Sequence, residues 1–184
     1  MVKLNKIYTR TGDTGSAGLV DGSRVSKSSA RMHAIGEVDE ANSAIGVALT
    51  LADDDHGKRL RAIQNEMFDL GADIATPGAM EGALRITAGQ VERLEREIDT
   101  MNAELEPLTS FILPGGSPAA ASLYLARAVV RRAERAAVAL NESDPISPHA
   151  LAYLNRLSDH LFVSARHIAR SSGGDVLWQP GATR

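Results

Sequence analysis

Five apolar segments of helix length, cut apart by proline and glycine, constrain this chain more than any other feature of its sequence. They run over residues 29–51, 54–75, 87–105, 117–141 and 147–171, where apolar positions recur every three to four residues. The breaks fall at Thr76, Pro77 and Gly78, at Pro107, at Pro114, Gly115 and Gly116, and at Asp144 and Pro145, where a helix does not comfortably continue. Three starts carry a mechanism. Thr87 with Gln90 three residues on forms a capping-box pattern, and Ser117 before Pro118 and Ser147 before Pro148 each set a hydroxyl acceptor ahead of a residue with no N–H to orphan. No convincing strand lies between the segments, so the fold class is all-α, a five-helix bundle. With 184 residues the chain suits one domain. Aromatic residues are only 4% and alanine is abundant, so helices can approach closely while a monomer's core stays thin, which points to self-association.

A net charge of −3 argues against a chain built to coat nucleic acid, although clustered arginines can still hold a small polyanion. The absence of cysteine excludes disulfides, thiolate metal sites and cysteine nucleophiles, and suits a reducing cytoplasm. The start, MVKLNKIYTR, lacks the apolar run of a signal peptide, and nowhere do about 18 apolar residues run without a charge. A soluble, cytoplasmic protein with no membrane partner is expected. Residues 1–27 are rich in glycine, threonine, serine and basic residues without helical period and form an arm; residues 28–172 form the bundle; residues 173–184 form a tail.

The chemistry-bearing residues fall into a few groups. On the segment 117–141, Arg127, Arg131 and Glu134 lie within roughly 60° of one another, while Ala126, Val130, Ala133, Ala137 and Leu140 turn away from them. Read alone, that charged side is a solvated face with an Arg131 to Glu134 surface pair. In the arm, Thr9, Arg10, Thr11, Gly12, Ala17 and Gly18, followed by Arg24 and Lys27, offer hydroxyls, backbone N–H groups and cations that can wrap phosphates. No Gly-Lys-Ser/Thr closes the stretch, so it is not a P-loop. It reads either as a flexible terminus or as an anion-binding loop, and the apolar anchors Ile7, Tyr8, Leu19 and Val25 favour order. Asp39 reads either as a surface carboxylate or as a partner for an arginine of 117–141. Asn155 shares a face with Asp159, Phe162 and Arg166, and is either a satisfied buried amide or a ligand group. Phe111, at a hinge, is either a core plug or a wedge against a flat ligand. His160 and His167 share a helix face, but no Glu-x-x-His pair accompanies them and no protein metal site is read.

The motifs KIYTRTGDTGSAGL, GSRVSK, EVDEANSAIG, QNEMFDLGADIATP, FILPGG, LARAVVRRAER and YLNRLSDHLF resemble, in order and spacing, the PduO-type ATP:cob(I)alamin adenosyltransferases over roughly Lys6 to Arg170. The resemblance implies a homotrimer of five-helix bundles with ATP and cobalamin bound where subunits meet. It implies transfer of the 5′-deoxyadenosyl group of ATP to the cobalt of cob(I)alamin, with triphosphate released. On this resemblance Thr9 to Gly12, Ala17, Gly18 and Lys27 form the ATP-binding arm. Arg131, Arg132, Ala133, Glu134 and Arg135 with Asn155 complete that site, Arg131 facing the triphosphate and Glu134 helping to place the nucleotide or its Mg²⁺. Asp39 and Arg127 form an intersubunit ion pair, Phe111 occupies the lower axial side of the cobalt, and Phe162 belongs to the corrinoid pocket. Asp13, Thr14, Gly15, Ser16 and Ala17 stand where Asp-Asp-Gly-Thr-Thr is commoner, and Tyr124 stands where many relatives have histidine. The tail, with Trp178 and Pro180, either covers the corrinoid pocket or is disordered. The alternative function is a non-catalytic bundle that binds ATP and corrinoid and hands adenosylcobalamin to a dependent mutase. Formation of the light-sensitive alkylcobalt product separates the two.

Overall fold

The computed structural model describes residues 7–184; residues 1–6, where the expected arm begins, lie outside the described residues. Five α-helices follow one another: α1 (Ala30–Leu49), α2 (Asp54–Ile74), α3 (Ala88–Asn102), α4 (Pro118–Ser143) and α5 (Pro148–Ala169), the last extended by one 3-10 turn, Arg170–Ser172. Each start has its cap. Ser117 Oγ accepts from the backbone N–H of Ala120 at 3.3 Å and Ser147 Oγ from that of His149 at 3.2 Å. The backbone N–H of Thr87 donates to Gln90 Oε1 at 2.9 Å. Ser29 and Asp53 cap α1 and α2 in the same way, and Asp54 and Asp55 add negative charge to the first turn of α2, where the helix dipole favours it.

Packing follows the alanine pattern. α4 packs against α1 and α5, α2 packs against α1, and α3 packs against α5. Ala120, Ala126, Val130, Ala133, Ala137 and Leu140 of α4 are buried with Ala34, Val38, Ala41, Ile45 and Ala48 of α1. Arg31 is buried at the start of α1, where it donates to the carbonyl of Ile74 and pairs with Asp144, tying one end of α1 to the ends of α2 and α4.

The arm departs from the all-α reading. Ser16–Gly18 (β1) pairs antiparallel with Arg24–Ser26 (β2), Ala17 opposite Val25. Three-residue strands are too short to show a period of two. What forms them is their turn: Gly22 takes φ +83°, and Asp21 accepts from both the backbone and the hydroxyl of Ser23. Val20 N–H donates to the carbonyl of Ala75 at 3.1 Å and seats the hairpin on the end of α2. Leu19 and Val25 are half-buried as anchors should be, whereas Ile7 is 88% and Tyr8 64% exposed.

A partly buried polar network joins α2, α3 and α5. Arg93 bridges Glu66 at 2.6 Å and Glu97 at 2.5 Å, Tyr153 Oη donates to Glu66 at 2.8 Å, and His160 Nε2 meets Glu97 at 2.7 Å. A neutral imidazole that donates from Nε2 leaves Nδ1 to accept from Ser164 Oγ at 3.4 Å. Burial lowers the His160 pKa in spite of Glu97 beside it. Burial acts to raise the Glu97 pKa, but hydrogen bonds from His160 and Arg93 overcome it and hold that carboxyl below its usual range. Both shifts act in one direction. An unfolded histidine takes a proton below about pH 6.5 while folded His160 stays neutral, so its folded form loses stability as pH falls below that value. Glu97 adds a further loss as pH falls through the carboxylate range. The thermal midpoint of the protein therefore drops between about pH 7.5 and pH 5.5, and drops less in His160→Gln. Parallel midpoint curves for the two proteins would contradict this assignment.

Candidate functional site

The alanine stripe fixes the rotation of α4, and the rotation decides what the opposite edge presents. Arg131 is exposed, and its side chain has no hydrogen-bond or ion-pair partner among the described residues. Glu134 does not pair with it. Instead Glu134 Oε1 accepts from Asn155 Nδ2 at 2.9 Å, Asn155 Oδ1 accepts from Arg156 at 2.7 Å, and Arg156 donates to Glu95 at 2.8 Å. That chain leaves Arg131 as a free cation beside a fixed carboxylate. Arg132 is turned toward α1, bonded to Glu37 at 2.5 Å and paired with Glu40. Ala133 is fully buried in the core, and Arg135 is exposed with one N–H on the carbonyl of Arg131 at 3.0 Å.

Beside this edge opens a cleft of about 640 Å³, lined by Phe111, Pro114, Tyr124, Arg127, Phe162 and Trp178 among others. Phe111 stands 77% exposed at its side, and its ring lies 6.1 Å from that of Trp178. The Arg127 guanidinium sits 5.3 Å over the Phe162 ring, and Tyr124 meets the same ring edge-on at 6.1 Å. Arg127 Nε and Tyr124 Oη are both buried and lack a partner among the described residues. Burial pulls the Arg127 pKa down, Arg131 adds to the effect, and Asp159 opposes it. Burial, helped by Asp175, pushes the Tyr124 phenol up to about 12. Tyr124 therefore stays a neutral donor. An aromatic cleft holding two unpartnered buried donors is suited to a large apolar ligand with acceptor groups at its rim. A depression of about 720 Å³ near the start of α2 is larger, but its walls are surface side chains such as Asp54, Lys58 and Arg61 and it holds no buried orphan.

The arm folds over itself. Thr9 and Thr11 hydroxyls lie 2.9 Å apart, Arg10 takes the left-handed φ of +62° with its guanidinium 5.8 Å over Tyr8, and Arg24 donates to the carbonyls of Thr11 and Ser16. A Cβ at Gly12 would lie 3.0 Å from Lys27 Nζ, so the lysine ammonium lies against bare backbone. Ala17 and Gly18 belong to β1. Asp39 is exposed on a separate cleft of about 400 Å³ between α1 and α2, shared with Met32, Ile35 and Phe68, the last 70% exposed. Among the described residues no hydrogen bond or ion pair joins Asp39 to Arg127, or the arm to α4. One chain thus brings together Glu134 with Asn155, and Phe111 with Arg127 and Phe162, and leaves Asp39 and the arm elsewhere. Trp178, in the tail whose sequence allowed either a cover for this pocket or disorder, lies in the lining, and Tyr124, which carries no site role in its sequence, joins it from a position three residues before Arg127 on one helix edge.

The sequence profile of the family described as cobalamin adenosyltransferase matches residues 7–168. A corrinoid adenosyltransferase of Mycobacterium tuberculosis is 50% identical over 190 residues, covering 100% of this chain and 97% of that protein. A corrinoid adenosyltransferase of Bacillus subtilis is 45% identical over 183 residues, covering 96% of this chain and 94% of that protein. Among solved structures, a variant of the PduO-type ATP:corrinoid adenosyltransferase from Lactobacillus reuteri, complexed with cobalamin and ATP, superposes with a TM-score of 0.89 at 34% identity, covering 95% of this chain and 97% of that chain.

The unpartnered Tyr124 hydroxyl gives a direct check on the cleft. Replacing an unsatisfied buried hydroxyl by hydrogen removes a desolvation penalty of about 1 kcal/mol or more, so Tyr124→Phe without ligand should unfold at the same or a higher temperature than the native chain. A drop in the unfolding midpoint of several degrees would show that the hydroxyl has a partner.

Proposed function

This chain belongs to the cobalamin adenosyltransferase family, and from that membership we infer that it transfers the 5′-deoxyadenosyl group of ATP to the cobalt of cob(I)alamin and releases triphosphate. The observation that carries the reading at residue level is the juxtaposition in one chain of an aromatic cleft, two unpartnered buried donors and the free cation Arg131. A corrinoid is a broad, largely apolar ring edged with amide carbonyls, which the Tyr124 hydroxyl and Arg127 Nε can bond. Phe111, exposed beside that cleft, is suited to lie under the ring and keep water from the lower face of the cobalt. The nucleophile is the substrate's own cobalt, so no general base is required and the protein's part is position and field. The cobalt electron pair forms the Co–C5′ bond as the C5′–O bond breaks, and the electrons of the broken bond leave on the triphosphate. Arg131 and Lys27 stabilise the charge gathering on the leaving group.

Asp39 and the arm enter from a second subunit in this reading. Support comes from their separation from Arg127 and α4 within one chain, and from the exposed apolar cleft around Phe68 on which a neighbouring copy can pack. The assembly proposed is a homotrimer with a nucleotide site at each junction. Among the described residues no three His, Asp or Glu side chains gather to hold a metal ion. Mg²⁺ fits as a passenger of the triphosphate, with Glu134 a carboxylate on the same edge of α4 as the free arginine. Among the described residues no helix is long and apolar enough to cross a membrane. A cytoplasmic enzyme that passes its product to an adenosylcobalamin-dependent mutase is consistent with that.

ATP with chemically reduced corrinoid should give the light-sensitive alkylcobalt spectrum, and its absence would refute the assignment in favour of a delivery protein. Phe111→Ala should spare ATP affinity and lose most turnover from cob(II)alamin with a reductant, with a smaller loss when cob(I)alamin is supplied; equal losses would count against the wedge. Arg131→Ala should lower turnover by roughly 100-fold or more in a protein of unchanged assembly. Survival of activity within a few-fold would remove Arg131 from the triphosphate.

A further inference from the structure

After α5 the chain turns back and straps the loop that carries Phe111. Gly173 and Gly174 both take positive φ, at 101° and 78°, and the Gly174 N–H closes on the Ala169 carbonyl at 2.8 Å. Arg166, only 6% exposed, holds both sides of the turn: its Nε donates to Asp175 at 2.8 Å and a terminal N–H donates to the carbonyl of Glu106 at 2.8 Å, in the segment leading to Phe111. From that latch Val176 to Trp178 runs antiparallel beside Phe111 to Leu113. Leu113 N–H donates to the Val176 carbonyl at 2.8 Å, Trp178 N–H to the Phe111 carbonyl at 2.7 Å, and Ser110 Oγ to the Trp178 carbonyl at 2.9 Å. Trp178 then lays its ring 6.1 Å from that of Phe111, at 55° to it.

The Phe111 loop has little else to fix it. Pro107 and Pro114 lack the N–H of a helical hydrogen bond, Gly115 and Gly116 leave the backbone free, and the phenyl ring is largely out in solvent. A wedge that excludes water must nevertheless be held at one angle before the substrate arrives. We propose that Trp178 is a positioning residue that acts through Phe111, with the Arg166–Asp175 pair as the latch that keeps the strap on the loop. The inference rests on the adenosyltransferase reading, and deepens it by naming what orients its wedge.

The test uses full-length variants, measured beside a native chain whose production of alkylcobalt establishes the reaction independently. Trp178→Ala should lower kcat from cob(II)alamin with a reductant by about tenfold or more, with the KM for ATP changed less than about twofold and the loss smaller when cob(I)alamin is supplied. Trp178→Phe, which keeps a ring against Phe111, should recover most of that loss, and Asp175→Asn should show the same pattern as Trp178→Ala in weaker form. In a Phe111→Ala background, Trp178→Ala should add less than about a twofold further loss. Wild-type kcat in Trp178→Ala, a change confined to the corrinoid KM, or a full additional loss in the Phe111→Ala background would each overturn the proposal. A native chain that makes no alkylcobalt would refute the function itself.

Discussion

The close contact of α4 with α1 and α5 is the constraint on which the rest depends. Alanines at positions 120, 126, 133 and 137 let three helix backbones approach with little side chain between them, and every one of those alanines is fully buried. Such an interface tolerates little rotation, because a turn of one residue, about 100°, would drive Arg127 or Arg131 into the core. The stripe is therefore both the core and the alignment device. It aims Arg127 into the aromatic cleft, Arg131 into solvent and Glu134 toward Asn155 on α5.

From that alignment the electrostatics follow. Four arginines sit within nine residues of α4, and each has a different situation. Arg132 is neutralised by Glu37 and Glu40 on α1. Arg135 rests on a backbone carbonyl. Arg127 is half-buried over an aromatic face, where burial and Arg131 both weaken its hold on its proton. Arg131 alone stands exposed and unpaired among the described residues. A cation left without a protein partner beside a cleft suits a leaving group that becomes more negative as the bond breaks, since the interaction grows along the reaction.

The helices were legible because local chemistry and tertiary structure agree at their ends. Ser117, Ser147 and Thr87 cap where the sequence pattern places caps, and observed boundaries differ from the expected ones by at most three residues. The hairpin was not legible, because three-residue strands carry no period and depend on the Asp21–Ser23 turn and on the end of α2. Of the site, the Arg127, Arg131 and Glu134 edge could be read from helix geometry, but the partner of Glu134 could not. The surface pair with Arg131 is replaced by Asn155, which lies on another helix. The strap was equally hidden, since a tail of glycine, proline and one tryptophan gives no sign of the loop it will cross. Arg31 and Arg166, both buried, were silent for the same reason: their partners, Asp144 and Ile74 for one and Asp175 and Glu106 for the other, are loop or helix-end groups set by the whole fold.

The central claim is that one chain holds two halves of different sites, with Asp39 on the α1–α2 face and Arg127 in the α4–α5 cleft meeting only across a junction of subunits. Coexpression of Asp39→Ala with Arg127→Ala tests it most directly, by the adenosylation rate of the mixed assembly against each variant alone. If the residues meet between chains, some junctions in the mixture regain both native groups, and the rate should rise to roughly a quarter of the native value from two nearly inactive parents. A mixture no faster than the average of its parents would contradict the account.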